Sequence, residues 1–203
     1  MNKDIILVGA FSEMIELCIS SGYRIIGYVD TQKNSNYSNI GLYLGTDANI
    51  EEIYKKYGDI PVVISPDLPK IRMNLYQTYK KAGFKFQTVI SPGAHISPTA
   101  TIGLGSVIQY GAFVSANVNI GSFVKLNVNA NIMHDCNIGD FVTVAPNAVV
   151  LGKVNISSLA YIGANATVLP YRNVAGNTVV GAGAVVTTDI PEDRIAKGVP
   201  ARF

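Results

Sequence analysis

Residues 96–120 read ISPTATIGLGSVIQYGAFVSANVNI. An aliphatic residue stands at every sixth position, at Ile96, Ile102, Ile108, Val114 and Ile120. The series continues without insertion through Leu126, Ile132, Ile138, Val144, Val150, Ile156, Ile162, Val168, Val174 and Val180 to Val186, sixteen hexads in all. The fourth residue after each is mostly small or β-branched, as at Ala100, Ala112, Val118, Ala130, Ala148, Ala160, Ala166 and Ala184. Such hexads specify a left-handed parallel β-helix: each supplies one short strand and one turn, with the aliphatic side chain filling a narrow interior. Glycine often follows the aliphatic residue, as at Gly103, Gly121, Gly139 and Gly163, where it is expected to accept a positive φ. Three hexads close one triangular coil, so residues 18 apart stack. Asn119, Asn137, Asn155 and Asn173 then form one column and Asn129, Asn147 and Asn165 another, both expected as left-handed turn residues able to hydrogen-bond along the axis.

Upstream the pattern differs. The apolar run Ile5-Ile6-Leu7-Val8 ends at Gly9 and reads as a buried parallel strand. Ser12 is placed to cap a helix to about Ser21, ended by Gly22. Strands are expected at 24–29, 60–64 and 85–90, helices at 49–57 and 70–81, and a polar loop at 31–40. This alternation argues a small parallel sheet flanked by helices. The expected organisation is an α/β Rossmann-like domain over 1–90, a left-handed β-helix over 91–190, and a tail over 191–203 that leaves the β-helix.

Composition narrows the function. Charged residues make up only 15% and the formal net charge is +2, with no basic run, so nucleic-acid binding is not expected. Cys18 and Cys136 lie in different segments and imply neither a disulfide framework nor a zinc site. The opening MNKDIILVGA has too short an apolar run for a signal peptide. No stretch approaches the roughly 18 apolar residues of a membrane span. A soluble, cytoplasmic protein is expected, and the low charge fraction suggests buried subunit interfaces.

The β-helix turns carry few ionisable groups, which singles out His134-Asp135. Histidine beside a carboxylate suits a general base. A polar turn residue at a subunit contact is the plain alternative. Counting 18 from His134 reaches Gly152, whose N–H could serve a developing oxyanion, or whose role could be conformational only. Asp30 ends the second strand, where a carboxylate commonly meets a nucleotide.

The stretch IMHDCNIGDFV at 132–142 resembles the sugar O- and N-acetyltransferases of the sialic-acid acetyltransferase (NeuD-like) family. So do Ile162-Gly163-Ala164, VGAGAVV at 180–186, KGVPA at 197–201, and, upstream, Gly9-Ala10 and Gly27-Tyr28-Val29-Asp30. The resemblance spans essentially the whole chain. It implies an acetyl-CoA-dependent acetyltransferase, without metal, acting on a nucleotide-linked sugar as a homotrimer. His134 would be the base that deprotonates a sugar amine or hydroxyl, Asp135 its support and Gly152 the oxyanion donor. Acetyl-CoA would lie between subunits near Thr143, Gly152, Gly163, Ala164, Gly181 and Ala182. The acceptor would meet Gly9, Ala10, Phe11 and Asp30. Two departures stand out. Thr143 occupies a position where relatives often carry a second histidine, and Gly9-Ala10-Phe11-Ser12-Glu13 replaces a Gly-x-Gly-Gly-His first turn. The weighed alternatives are a β-helix zinc hydratase, which would need more histidines than His95 and His134, and a catalytically silent sugar-nucleotide-binding scaffold.

Overall fold

The computed structural model describes residues 3–33 and 40–203. Most of the polar loop expected at 31–40 lies outside them. The N-terminal part is a four-stranded parallel sheet made of β1 (Asp4–Val8), β2 (Arg24–Val29), β3 (Leu42–Gly45) and β4 (Val62–Ile64), in the order β3-β2-β1-β4. Helix α1 (Ser12–Ser20) buries Met14, Ile15, Leu17 and Cys18 on one face of the sheet. On the other face lie α2 (Ile50–Tyr57) and α3 (Pro69–Ala82), through Ile53 and Tyr79. Proline at the first helical position starts α3, and Gly83, at φ +101°, ends it.

Three expectations for this part change. Phe11, not Ser12, is the N-cap of α1, and Ser12 is its first helical residue. The short strand β3 follows the polar loop, and its pattern of partial burial hides it in the sequence. The strand expected at 85–90 does not join the sheet as a unit. Phe86 makes a single bridge to Val62, whereas Val89-Ile90 pairs with Val107-Ile108 and forms the first rung of the β-helix.

From there the chain winds through three parallel sheets of seven, six and five strands. The first face runs from Val89–Ile90 through Lys125–Leu126 to Ile195–Ala196. The second contains His95–Ile96, Asn131–Ile132 and Val149–Val150, and the third Asn119–Ile120 and Asn137–Ile138. This is the arrangement of a left-handed β-helix. Ladder pairs such as Asn131↔Val149 and Lys125↔Thr143 keep the 18-residue register. The hexad aliphatics and the small residues four positions on form one continuous buried column. The expected tail does not leave at residue 191: Ile195-Ala196 pairs with Val179-Val180 as a last rung, before a bridge between Lys197 and Arg202.

The turn chemistry is more regular than expected and sits elsewhere. Every sixth residue from Gly105 to Gly183 has φ between +53° and +71°, three positions after the aliphatic residue. Asn129, Asn147 and Asn165 occupy these corners, but so do Phe123, Leu159 and Tyr171. The glycine immediately after the aliphatic residue has another cause. A Cβ at Gly103 would sit 2.4 Å from the backbone of Gly121, and one at Gly163 2.6 Å from the Ala182 nitrogen. These positions admit only glycine because successive coils touch there. Asn119, Asn137, Asn155 and Asn173 are extended rather than left-handed, and donate amide to amide along the third face at 2.9–3.1 Å.

The sheet domain is riveted to the first face and to the corner that precedes it. Arg72 of α3 is buried and donates to the carbonyls of Pro66, Asp67, Phe123, Phe141 and Val142. Burial pulls its pKa down to about 10. Lys125, also buried, reaches from the first face to Asp67 at 2.8 Å, Glu13 at 3.4 Å and the Ser65 carbonyl at 2.9 Å.

Candidate active site

His134 stands on the corner between the second and third faces, two residues after the interior Ile132. An inward aliphatic and a left-handed Asp135 at φ +60° turn the chain so that the imidazole points outward, with its side chain 57% exposed. The same turn brings Asp135 back onto its neighbour: Nδ1 of His134 lies 2.8 Å from the Asp135 carboxylate. That hydrogen bond, followed by one from Asn117, holds the Asp135 carboxyl below its usual range. With Nδ1 engaged by a carboxylate, Nε2 is the nitrogen left to accept a proton.

Gly152 lies one coil on, directly over the ring. A Cβ there would fall 2.7 Å from both Cε1 and Nε2 of His134. Only glycine leaves the imidazole its place. Among the described residues nothing accepts a hydrogen bond from the Gly152 N–H, while the next amide, of Lys153, donates to the His134 carbonyl. The His134 Nε2 and the Gly152 amide thus share one corner. Cys136 is buried beneath it, and burial raises its pKa.

The other expected residues divide into two groups. Gly163-Ala164 and Gly181-Ala182 stack on the corner between the first and second faces, linked by the Gly183 amide on the Ala164 carbonyl. They flank the second face on the side opposite His134. Thr143 is not with either group. It lies fully buried on the first face and donates to the Asp67 carbonyl at 2.5 Å, so its hydroxyl is spent on the domain contact.

At the sheet domain, Gly9, Ala10, Phe11 and Asp30 do come together. The Asp30 carboxylate accepts from the Ala10 N–H at 3.0 Å and from the Thr31 N–H at 2.7 Å, closing the first turn. Gly9 needs its φ of +82°, and Ser65 donates to its carbonyl. Beside this turn, at the carboxyl ends of β1 and β4, is a cleft of about 260 Å³ bounded by Phe11, Glu13, Pro66, Asp67 and Lys125. Sequence reading missed Glu13, Asp67 and Lys125, which are ordinary charges until the two domains meet. Among the described residues no cluster of His, Cys, Asp or Glu could hold a metal ion. His95 stacks on Phe113 instead, ring centroids 4.7 Å apart. No described helix is long and apolar enough to cross a membrane.

No family model and no curated protein matches the chain. Solved structures do. The acetyltransferase domain of PglB from Neisseria gonorrhoeae is 29% identical, with a TM-score of 0.90 and 99% of each chain covered. PerB from Caulobacter crescentus, solved with CoA and GDP-perosamine, is 25% identical at a TM-score of 0.89, covering 98% of this chain and 96% of that one. WeeI from Acinetobacter baumannii is 27% identical at 0.83, with 98% of each covered. With the repeat, the appended parallel sheet and the His134 corner all in place, the chain resembles, over essentially its whole length, the hexapeptide-repeat sugar acyltransferases to which these structures belong.

Proposed function

We propose that this acyltransferase moves the acetyl group of acetyl-CoA to the amino group of a nucleotide-linked amino sugar by direct attack. The observation that carries the reading is the corner itself: a carboxylate-held His134 with Nε2 free, and an unengaged Gly152 N–H beside it. The sugar amine, neutral when it attacks, bonds to the thioester carbonyl carbon. His134 Nε2 takes the ammonium proton that forms, and the Gly152 N–H bears the oxyanion. Collapse breaks the C–S bond, and the proton goes to the departing CoA sulfur. The products are an amide and CoA.

The strand order β3-β2-β1-β4 is that of a nucleotide-binding half-domain, whose ligands sit at the carboxyl ends of the strands. This supports a Rossmann-like acceptor site at Gly9, Ala10, Phe11 and Asp30. That site adjoins the first face, whereas His134 stands at the junction of the other two. A homotrimer, in which the acceptor cleft of one subunit meets the His134 corner of the next, joins them. Acetyl-CoA then runs between subunits past Ala164 and Ala182.

Thiol release from acetyl-CoA is the assay, with GDP-perosamine, the sugar nucleotide bound to PerB, as first probe among 4-amino sugars. An amide product stable to hydroxylamine is expected. A hydroxylamine-labile ester would make the enzyme an O-acetyltransferase, and no thiol release with any acceptor would contradict the reading.

A further inference from the structure

Asp135 does not hold His134 unaided. Its second oxygen, Oδ1, accepts from the Asn117 amide at 3.1 Å, while Oδ2 faces the ring. Asn117 and Asp135 occupy the same left-handed corner position in successive coils, at φ +59° and +60°. Their side chains therefore leave the backbone in parallel, one strand spacing apart, roughly 4.8 Å. The corner is pinned on both sides: the Asp135 amide donates to the Ala116 carbonyl at 3.0 Å, and the Asn117 amide to Thr99 Oγ1 at 2.9 Å.

We propose that Asn117 is a positioning residue of the His134 site, fixing the Asp135 carboxylate in the one orientation that receives the His134 Nδ1 proton and keeps Nε2 free. The inference rests on the proposed acetyl transfer for its catalytic consequence, but the geometry is independent of any substrate. A comparison within the molecule separates it from ordinary corner stacking. Asn129 and Asn147 make the same kind of contact, at 3.3 Å, and among the described residues neither side chain hydrogen-bonds a titratable side chain. Among the described residues, only the Asn117 column continues through a carboxylate to an imidazole. Asp135 is half-exposed, so without its anchor the carboxylate turns to water and releases the ring. A neutral histidine in water favours the proton on Nε2, the nitrogen that must be bare to act as base.

The test is nitrogen-15 NMR of the side-chain imidazoles, practicable because the chain has only two histidines. His95, stacked on Phe113, is the internal reference. The wild type is expected to show His134 as the Nδ1–H tautomer. Asn117→Gly keeps the left-handed corner and deletes the amide, and should move most of the neutral population to Nε2–H while His95 is unchanged. Asn117→Asp, which keeps the shape and loses the donor, should move it the same way. Asn129→Gly should leave His134 as it is. With acceptor present, kcat of the Asn117 variants should fall roughly tenfold, part of the roughly 10²–10⁴ a placed general base supplies, with KM for acetyl-CoA within about twofold. An unchanged tautomer in both Asn117 variants, or an equal change in Asn129→Gly, overturns the inference. Failure of the wild type to acetylate any amino sugar would overturn the proposed function and leave the tautomer result standing.

Discussion

At the scale of single residues, the site depends on what is absent at position 152. Gly152 is not in the left-handed region, so alanine suits its backbone, yet its methyl would occupy the space 2.7 Å from His134 Nε2. Gly152→Ala is expected to fold normally and lose about 10² in kcat, the effect of displacing a reacting group by about 1 Å. Circular dichroism and steady-state kinetics check both halves. The pH dependence follows from Asp135. Its carboxyl, held low by His134 and Asn117, stays ionised as pH falls through the usual carboxylate range. Any stability it contributes is present above that range and is lost only below it. The acid limb of kcat/KM should therefore carry no protonation of Asp135 in the usual carboxylate range. A protonation near the ordinary aspartate value would contradict this. His134 was legible because ionisable groups are rare in the repeat, and Gly152 because 18-residue stacking is countable. Counting 18 backwards from Asp135 would have reached Asn117. The engagement of Thr143 with the Asp67 carbonyl and of Asp30 with the Ala10 amide was not legible, since both depend on chain segments distant in sequence.

Among the elements, two kinds of glycine look alike in the sequence and differ in cause. Gly163 abuts the next coil, whereas Gly183 sits at φ +68° with nothing within 4 Å of an added Cβ. Gly163→Ala should destabilise by roughly 1–3 kcal/mol through overpacking. Gly183→Asn should be nearly neutral, because asparagine tolerates this corner. Thermal melts of the two variants distinguish contact from conformation. The hexad period made the β-helix strands legible because each buries one aliphatic side chain per turn. β3 was not, because its side chains are only partly buried and carry no alternation. Val89-Ile90 read as a sheet strand because it is apolar. Its partner was decided by the first face, to which the chain had already crossed.

For the whole molecule, the joint between sheet and β-helix is the part the sequence hides. Arg72 is an unremarked charge on an amphipathic helix until five carbonyls from both domains converge on it. Arg72→Met should cost about 3 kcal/mol, since buried carbonyls lose a charged donor, and lower Tm by roughly 6–12 °C. Sedimentation should give three times the chain mass for the wild type. Whether His134 is the base for acetyl transfer to an amino sugar is decided by one comparison. Thiol release from acetyl-CoA, with a nucleotide-linked 4-amino sugar as acceptor, is measured for the wild type and His134→Ala. A fall in kcat of about 10² or more is expected, with KM for acetyl-CoA little changed. An unaltered rate in His134→Ala would contradict it.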